Sequence, residues 1–364
     1  LGEHLAMTGA GVGVLRCAIA AALFGATIPV ASGLATRTSA PVLAGLLYLG
    51  AALAVVPFAH RRPVGPGALR RSVRPLAAAV IAGGFLGPLL LVAGLARTPA
   101  ATASLLLNLE LVATALLAAV FFGEHLGRRL LCGTALVTAA GVALAWGGTP
   151  DLRLGALLVL AACMCWALDN CVTATLDQIS PEHITLAKGV IAGGANLTLG
   201  LALGGGLPGA ADTALALGAG ALGYGLSITL WVSGARDLGA ARGQLVFSTA
   251  PFIGVLVAWV GFGEPVRRAE IVAVALAAVG VLQVLRSNHE HPHRHARLEH
   301  DHDHSHDEHH AHRHPVAVDR HSHGHAHEPV VHAHPHVPDL HHRHTHPLSA
   351  RQRRSGDRPP GGDR

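Results

Sequence analysis

The sequence predicts an all-α integral membrane protein: ten transmembrane helices in two inverted five-helix repeats, followed by a disordered, histidine-rich C-terminal tail. Three observations carry that prediction. Long apolar runs follow one another with short polar breaks, charge is segregated along the chain, and one half of the apolar region repeats the other. Of 364 residues, 51% are hydrophobic and 13% charged, against about 25% charged in a soluble domain. These figures average two unlike parts. Residues 1–288 hold 17 Lys+Arg and 11 Asp+Glu; residues 289–364 hold 10 Arg, 11 acids and 23 of the 27 histidines. The net charge of +5 is spread thinly over an apolar chain, which argues against a nucleic-acid partner.

A helix needs about 20 apolar residues to cross the hydrocarbon core. The apolar runs fall near 14–34, 41–59, 75–96, 99–122, 129–147, 154–176, 184–206, 213–234, 240–262 and 269–286. They are continuous rather than alternating, which excludes a barrel. Residues 1–13 form an N-terminal segment, 14–147 the first repeat, 154–286 the second and 289–364 the tail. Met7 is a candidate start, and the first span has no convincing small-residue cleavage site, so it reads as a retained helix. With the N-terminus inside, the inner loops hold Arg61, Arg62, Arg70, Arg71, Arg74, Arg128, Arg129, Lys188, Arg236 and Arg242. The outer loops hold Arg37, Arg97, Arg153, Arg267 and Arg268. That excess places both termini in the cytoplasm, and the Ala-, Gly- and Arg-rich composition suits a bacterial inner membrane. The five cysteines form no CxxC pair and lie in apolar runs, where they read as small buried side chains.

A shift of 140 residues lays Gly94 on Gly234, Ala100-Ala101 on Ala240-Ala241, and Phe122-Gly123-Glu124 on Phe262-Gly263-Glu264. Arg128 then falls on Arg268, and 94–129 matches 234–269 at 11 of 36 positions. Five spans per repeat is an odd number, so the halves enter the membrane in opposite senses. Inverted repeats are a mark of secondary transporters, which bind substrate near the midplane between the halves.

The duplicated pattern, FFGEHLGRR followed by Ala140-Gly141 and GFGEPVRRAE followed by Val279-Gly280, resembles the EamA repeat of the drug/metabolite transporter superfamily. The likeness runs from about residue 14 to 286. It implies a ten-helix transporter of small metabolites, such as amino acids, purines, drugs or metal-binding compounds, and a candidate homodimer. It also implies a pocket formed largely by the third, fourth, eighth and ninth helices. Glu124 and Glu264 match the family's Gly-Glu position. A helix C-terminus disfavours an acid, but Arg128 or Arg268 stands four residues on and can pair with it, so Gly123, Glu124, Gly263 and Glu264 read as structural.

Glu110 differs. It lies within LLLNLELVATALL, and an ionisable group at that depth costs about 2.5–3.5 kcal/mol on insertion scales, which makes it a functional candidate by default. The family's usual proline is present in the second repeat as Pro251, where the first repeat has Glu110-Leu111. That departure points to a cationic or proton-coupled substrate; the alternative is a carboxylate held neutral or paired to fix packing. Asn108 can line the same side. Asp169 and Asn170, in CWALDNCVTATL, sit mid-span with Thr173 one turn on, and Trp166 aligns with Phe24. Either carboxylate can bind a coupling proton. Weaker candidates are Ser104, Asn196, Tyr224, Ser227, Gln244 and Ser248, of which Ser104, Tyr224, Gln244 and Ser248 fall on the helices that the resemblance assigns to the pocket.

The tail is dominated by His-x-His. Residues two apart share one side of an extended chain, and neutral imidazole suits Zn, Ni, Cu and Co. The candidate ligands are His289, His291, His293, His295, His300, His302, His304, His306, His321, His323, His325 and His327. No cofactor is required by anything else in the chain. Proline and the lack of apolar periodicity predict disorder without metal. No P-loop, HExxH or nucleophile elbow is present, so an enzyme is not expected. The leading expectation is a transporter of a small metabolite, a metal chelator or the divalent ion itself; the alternative is a membrane-anchored transition-metal store or sensor.

Overall fold

In hydrocarbon a backbone has only itself to hydrogen-bond with, so each apolar run folds as helix. The computed structural model describes residues 2–60, 66–122, 128–146, 149–173, 176, 179–238, 243, 246–285, 289–294, 298–304, 321–327 and 331–336. Among these, eight helices are long and apolar enough to cross a membrane: α1 (Gly11–Ala35), α2 (Ala40–Ala59), α3 (Leu69–Leu95), α4 (Ala100–Phe121), α5 (Arg128–Trp146), α6 (Pro150–Thr173), α7 (Pro181–Ala202) and α8 (Ala210–Gly234). A shorter apolar helix, α9 (Ala250–Gly261), and α10 (Arg268–Leu285) follow. Eight helices of spanning length are therefore shown where ten spans were expected.

The duplication is visible in the packing. α5 packs on its repeat-mate α10, and α2 on its repeat-mate α7. α6 packs on α3 and α4 as α1 packs on α8 and α9. At the α5–α10 crossing a Cβ on Gly133 would stand 2.6 Å from the Gly280 carbonyl oxygen, and one on Gly280 would stand 2.8 Å from that of Gly133. Without strong hydrophobic drive between helices in lipid, such close approach supplies the dispersion contact that holds them.

Two departures from regular α-helix recur at repeat-related places. α3 carries a π-helical segment at Val80–Leu86 and α8 one at Ala221–Leu226, 140 residues on. α4, expected as one continuous span over 99–122, is broken: one half ends at Leu106 and the next begins at Leu109. α9 begins after an equivalent turn at Ser248 and Thr249. Glu110 and Pro251 thereby occupy the same place, the second residue of a half-helix. The first turn tolerates proline, whose missing N–H has no partner there, and favours an acid, which faces the positive end of the dipole. Discontinuous helices meeting near the midplane are a recurring frame for transporter sites.

Glu264 corrects its expected pairing with Arg268. Gly263, at φ +65°, turns the chain at the end of α9. The Glu264 oxygens then accept the backbone N–H groups of Ala100 (2.8 Å) and Ala101 (3.0 Å). The acid of one repeat thus caps the α4 N-terminus of the other, and no Arg268 ion pair is present among the described residues. Glu270, 2% exposed, grips the same turn: it accepts from the Thr102 hydroxyl (2.8 Å), Trp259 Nε1 (3.2 Å) and the Arg267 N–H (3.2 Å). Arg37–Asp212 and Arg97–Asp151, at 3.4 and 3.6 Å, pair on the surface of this end. Gly123 and Glu124 lie outside the described residues.

In the tail, four short strands are described. β1 (His289–Arg294) pairs antiparallel with β4 (Val331–His336), and β2 (Leu298–His304) with β3 (His321–His327). His-x-His is a period-two pattern, which is the pattern of a strand. In this register histidine stands opposite histidine, as at His291 and His334 or His302 and His323. Two-stranded ladders of this kind are marginal on their own. His295 and His306 lie outside the described residues.

Candidate functional site

The polar centre of the bundle is built where α6 crosses α3. Gly83 makes the crossing possible: a Cβ there would collide with the Asp169 carboxylate. The Gly83 carbonyl, freed from regular helical bonding by the π segment, accepts the Tyr48 hydroxyl (2.7 Å) and Trp166 Nε1 (3.1 Å). Asp169 is 6% exposed. Its Oδ2 pairs with Lys188 Nζ at 2.6 Å, with side chains 9% and 14% exposed, and its Oδ1 accepts the Thr173 hydroxyl at 3.1 Å.

Lys188 overturns a sequence expectation. It was counted among inner-loop residues, but it lies seven residues into α7, about 10 Å along the axis. It opens that helix's π segment, Lys188–Ala192.

Glu110 approaches from the break in α4. Its Oε1 accepts Asn170 Nδ2 at 2.9 Å, so it stands one residue along α6 from Asp169. Glu110 is half-buried and Asn170 exposed. The carbonyl of Leu106, released by the break, accepts the Cys163 thiol at 3.8 Å. Glu110 is thus brought to Asp169 and Asn170 from 60 residues earlier in the chain.

The other candidates divide. Asn108 is buried, and its amide donates to the Leu105 carbonyl at 3.0 Å across the break itself. Ser104 is fully buried where α4 meets α9, with its Oγ 2.6 Å from where a Gly254 Cβ would stand. Tyr224 is 3% exposed, its ring 5.7 Å from Phe24 and 5.5 Å from Tyr48. Its hydroxyl has no partner. Ser248 is half-buried in the turn before α9, and Gln244 lies outside the described residues. Asn196 donates to the Phe85 carbonyl and Ser227 to that of Ala20, so both tie helices together.

Sequence reasoning missed Lys188, Tyr48 and Glu270. The signal for Lys188 was available: it is the sole lysine beside 26 arginines, inside an expected span.

Comparison with known proteins agrees with this architecture. An uncharacterized transporter of Methanothermobacter thermautotrophicus is 29% identical over 194 residues, 50% of this chain and 55% of that protein. The chain therefore spans about half the length of that curated relative. A solved crystal structure superposes at a TM-score of 0.55 with 19% identity, covering 74% of this chain and 96% of the other. That likeness is one of fold. The model of the EamA-like transporter family matches residues 11–146 and 153–286. With both repeats matched and a duplicated helical frame around a polar centre, the chain belongs to the EamA-like transporter family.

Proposed function

We propose that this chain is a secondary transporter that moves a small metabolite across a bacterial inner membrane by alternating access. Ten spans carry it, with α9 and α10 completing the second repeat, and both termini lie in the cytoplasm. The observation that carries the reading is the meeting of two intramembrane carboxylates and the only lysine at a break in α4. Charged groups in hydrocarbon are costly and mark ion and substrate paths. The surrounding frame is an inverted repeat with discontinuous helices, the arrangement in which such sites occur.

Glu110 and Asp169 carry the coupling or substrate charge; Asn170 positions Glu110, and Tyr48, Trp166 and Gly83 hold the wall against Asp169. The test is flux in proteoliposomes under a pH gradient, screened with amines, amino acids and purines. Glu110→Gln and Asp169→Asn are expected to abolish flux while both proteins still insert. Wild-type rates in both variants would sink the assignment. The His-x-His tail is read as a chelating extension for Zn, Ni, Co or Cu, in register for paired imidazoles along its strands. It is accessory to transport.

A further inference from the structure

Resting on the reading of this centre as the coupling site, we propose that Lys188 gives the two carboxylates different duties. It holds Asp169 ionised throughout the cycle and leaves Glu110 as the single group that takes up and releases a proton.

The partners differ in kind. Asp169 has an ammonium on one oxygen and a hydroxyl on the other. Protonating it would strand Lys188 as an unpaired charge in a low-dielectric interior, the costliest way to break a buried pair. Among the described residues, Glu110 has only the neutral Asn170 amide. Once protonated it still offers a carbonyl oxygen to that N–H, and no charge is orphaned.

Access differs in the same sense. Asp169 is sealed against α3, while Glu110 is half-buried beside an exposed Asn170. The seat also holds the pair together: Gly83 faces the Asp169 carboxylate and Gly84 faces the Lys188 stem, whose Cβ and Cγ lie 3.2 and 3.3 Å from where a Gly84 Cβ would be. Both side chains of the pair are thus packed against α3.

Among the described residues, the titratable groups near Glu110 are Asp169 and Cys163 from α6, Lys188 from α7, Tyr48 from α2 and Tyr224 from α8. Arg128, Arg129 and Cys132 of α5 lie in that helix's first turns, toward the bundle end. Two carboxylates and one ammonium leave one negative charge. One monovalent cation balances it, either a proton or the cationic group of a substrate. The proton binds the Glu110 carboxylate from water on one face and leaves to water on the other.

The test is an infrared titration of the carboxyl C=O band on the purified full-length protein, between about pH 6 and 9, above the range of solvated carboxylates. Wild type is expected to show one titrating carboxyl. Glu110→Gln loses it, Lys188→Arg keeps it, and Lys188→Met gains a second. Should Lys188→Met fail to fold, the charge-neutral pair Asp169→Asn/Lys188→Met decides: the single band must persist. A band that survives Glu110→Gln, or disappears in the neutral pair, overturns the proposal. Because the titration needs no substrate, it stands apart from the flux assay, whose failure would remove the coupling role and leave the division of charge intact.

Discussion

The crossing of α6 on α3 and that of α1 on α8 are built alike and filled differently. In the first, Gly83 faces the Asp169 carboxylate; in the second, Gly223 faces Thr27, whose hydroxyl would meet a Cβ at that glycine. Thr27 simply returns its hydrogen bond to the Leu23 carbonyl of its own helix. The half-helix starts match as well, with Glu110 on one side and Pro251 on the other. One half-bundle carries both acids and the lysine, and its mate carries a threonine, a proline and the Phe24–Tyr224 aromatic pair. The steric frame is present at both crossings, and the charge, drawn from both repeats, stands at one of them.

The comparison is broken most severely at the two glycines. Gly83→Ala displaces Asp169 and is expected to cut flux more than tenfold, since misplacing a reacting group by about 1 Å costs about 100-fold in positioned chemistry. Gly223→Ala displaces only Thr27 and should cost about 1–3 kcal/mol of stability through overpacking, with flux within a few-fold of wild type. Equal loss of flux in both would show that the frame, not the charge, is what matters. Next in size is Glu270→Ala, which leaves a hydroxyl, an indole N–H and a backbone N–H without their buried acceptor. The expected loss is about 3 kcal/mol, seen as a lowered Tm; its repeat-mate Leu130 makes no such contacts, and Leu130→Ala should cost clearly less. Glu264→Gln keeps one acceptor but removes the charge from a helix N-terminus, worth about 1 kcal/mol, again read from Tm. Deleting residues 289–364 should have the smallest effect on flux and Tm while abolishing zinc binding measured by equilibrium dialysis. A tail-less protein that no longer transports would contradict an accessory role.

Much of this was legible in the sequence because hydrocarbon allows so few answers. Apolar run length gave the helices, and the FGE coincidence gave the repeat. Glu110 and Asp169 stood out because charge is rare among Leu and Ala. What was not legible was partnership. Lys188 read as a loop residue because its span begins at Pro181 with Glu182 and His183, a polar entry that hides its depth. Glu264 seemed bound to Arg268 because sequence shows only local neighbours, whereas its partners lie about 160 residues earlier on the other repeat. Asn108 seemed to line a pocket because a helix-wheel argument assumes an unbroken helix, and this one breaks at Asn108 itself. In the tail the alternation was legible as an extended chain, and the pairing of its strands was not.

The break in α4 also bears on motion. Bending an intact helix inside a bilayer strips backbone groups of their partners, each costing several kcal/mol where no water can replace them. In α4 that rearrangement is already made: Asn108 and Cys163 have taken over the carbonyls of Leu105 and Leu106. The half capped by Glu264 and the half that begins with Glu110 can therefore tilt against each other without unzipping either one. The joint lies beside the Glu110 carboxylate, so the two halves of α4 meet at the one acid of this helix.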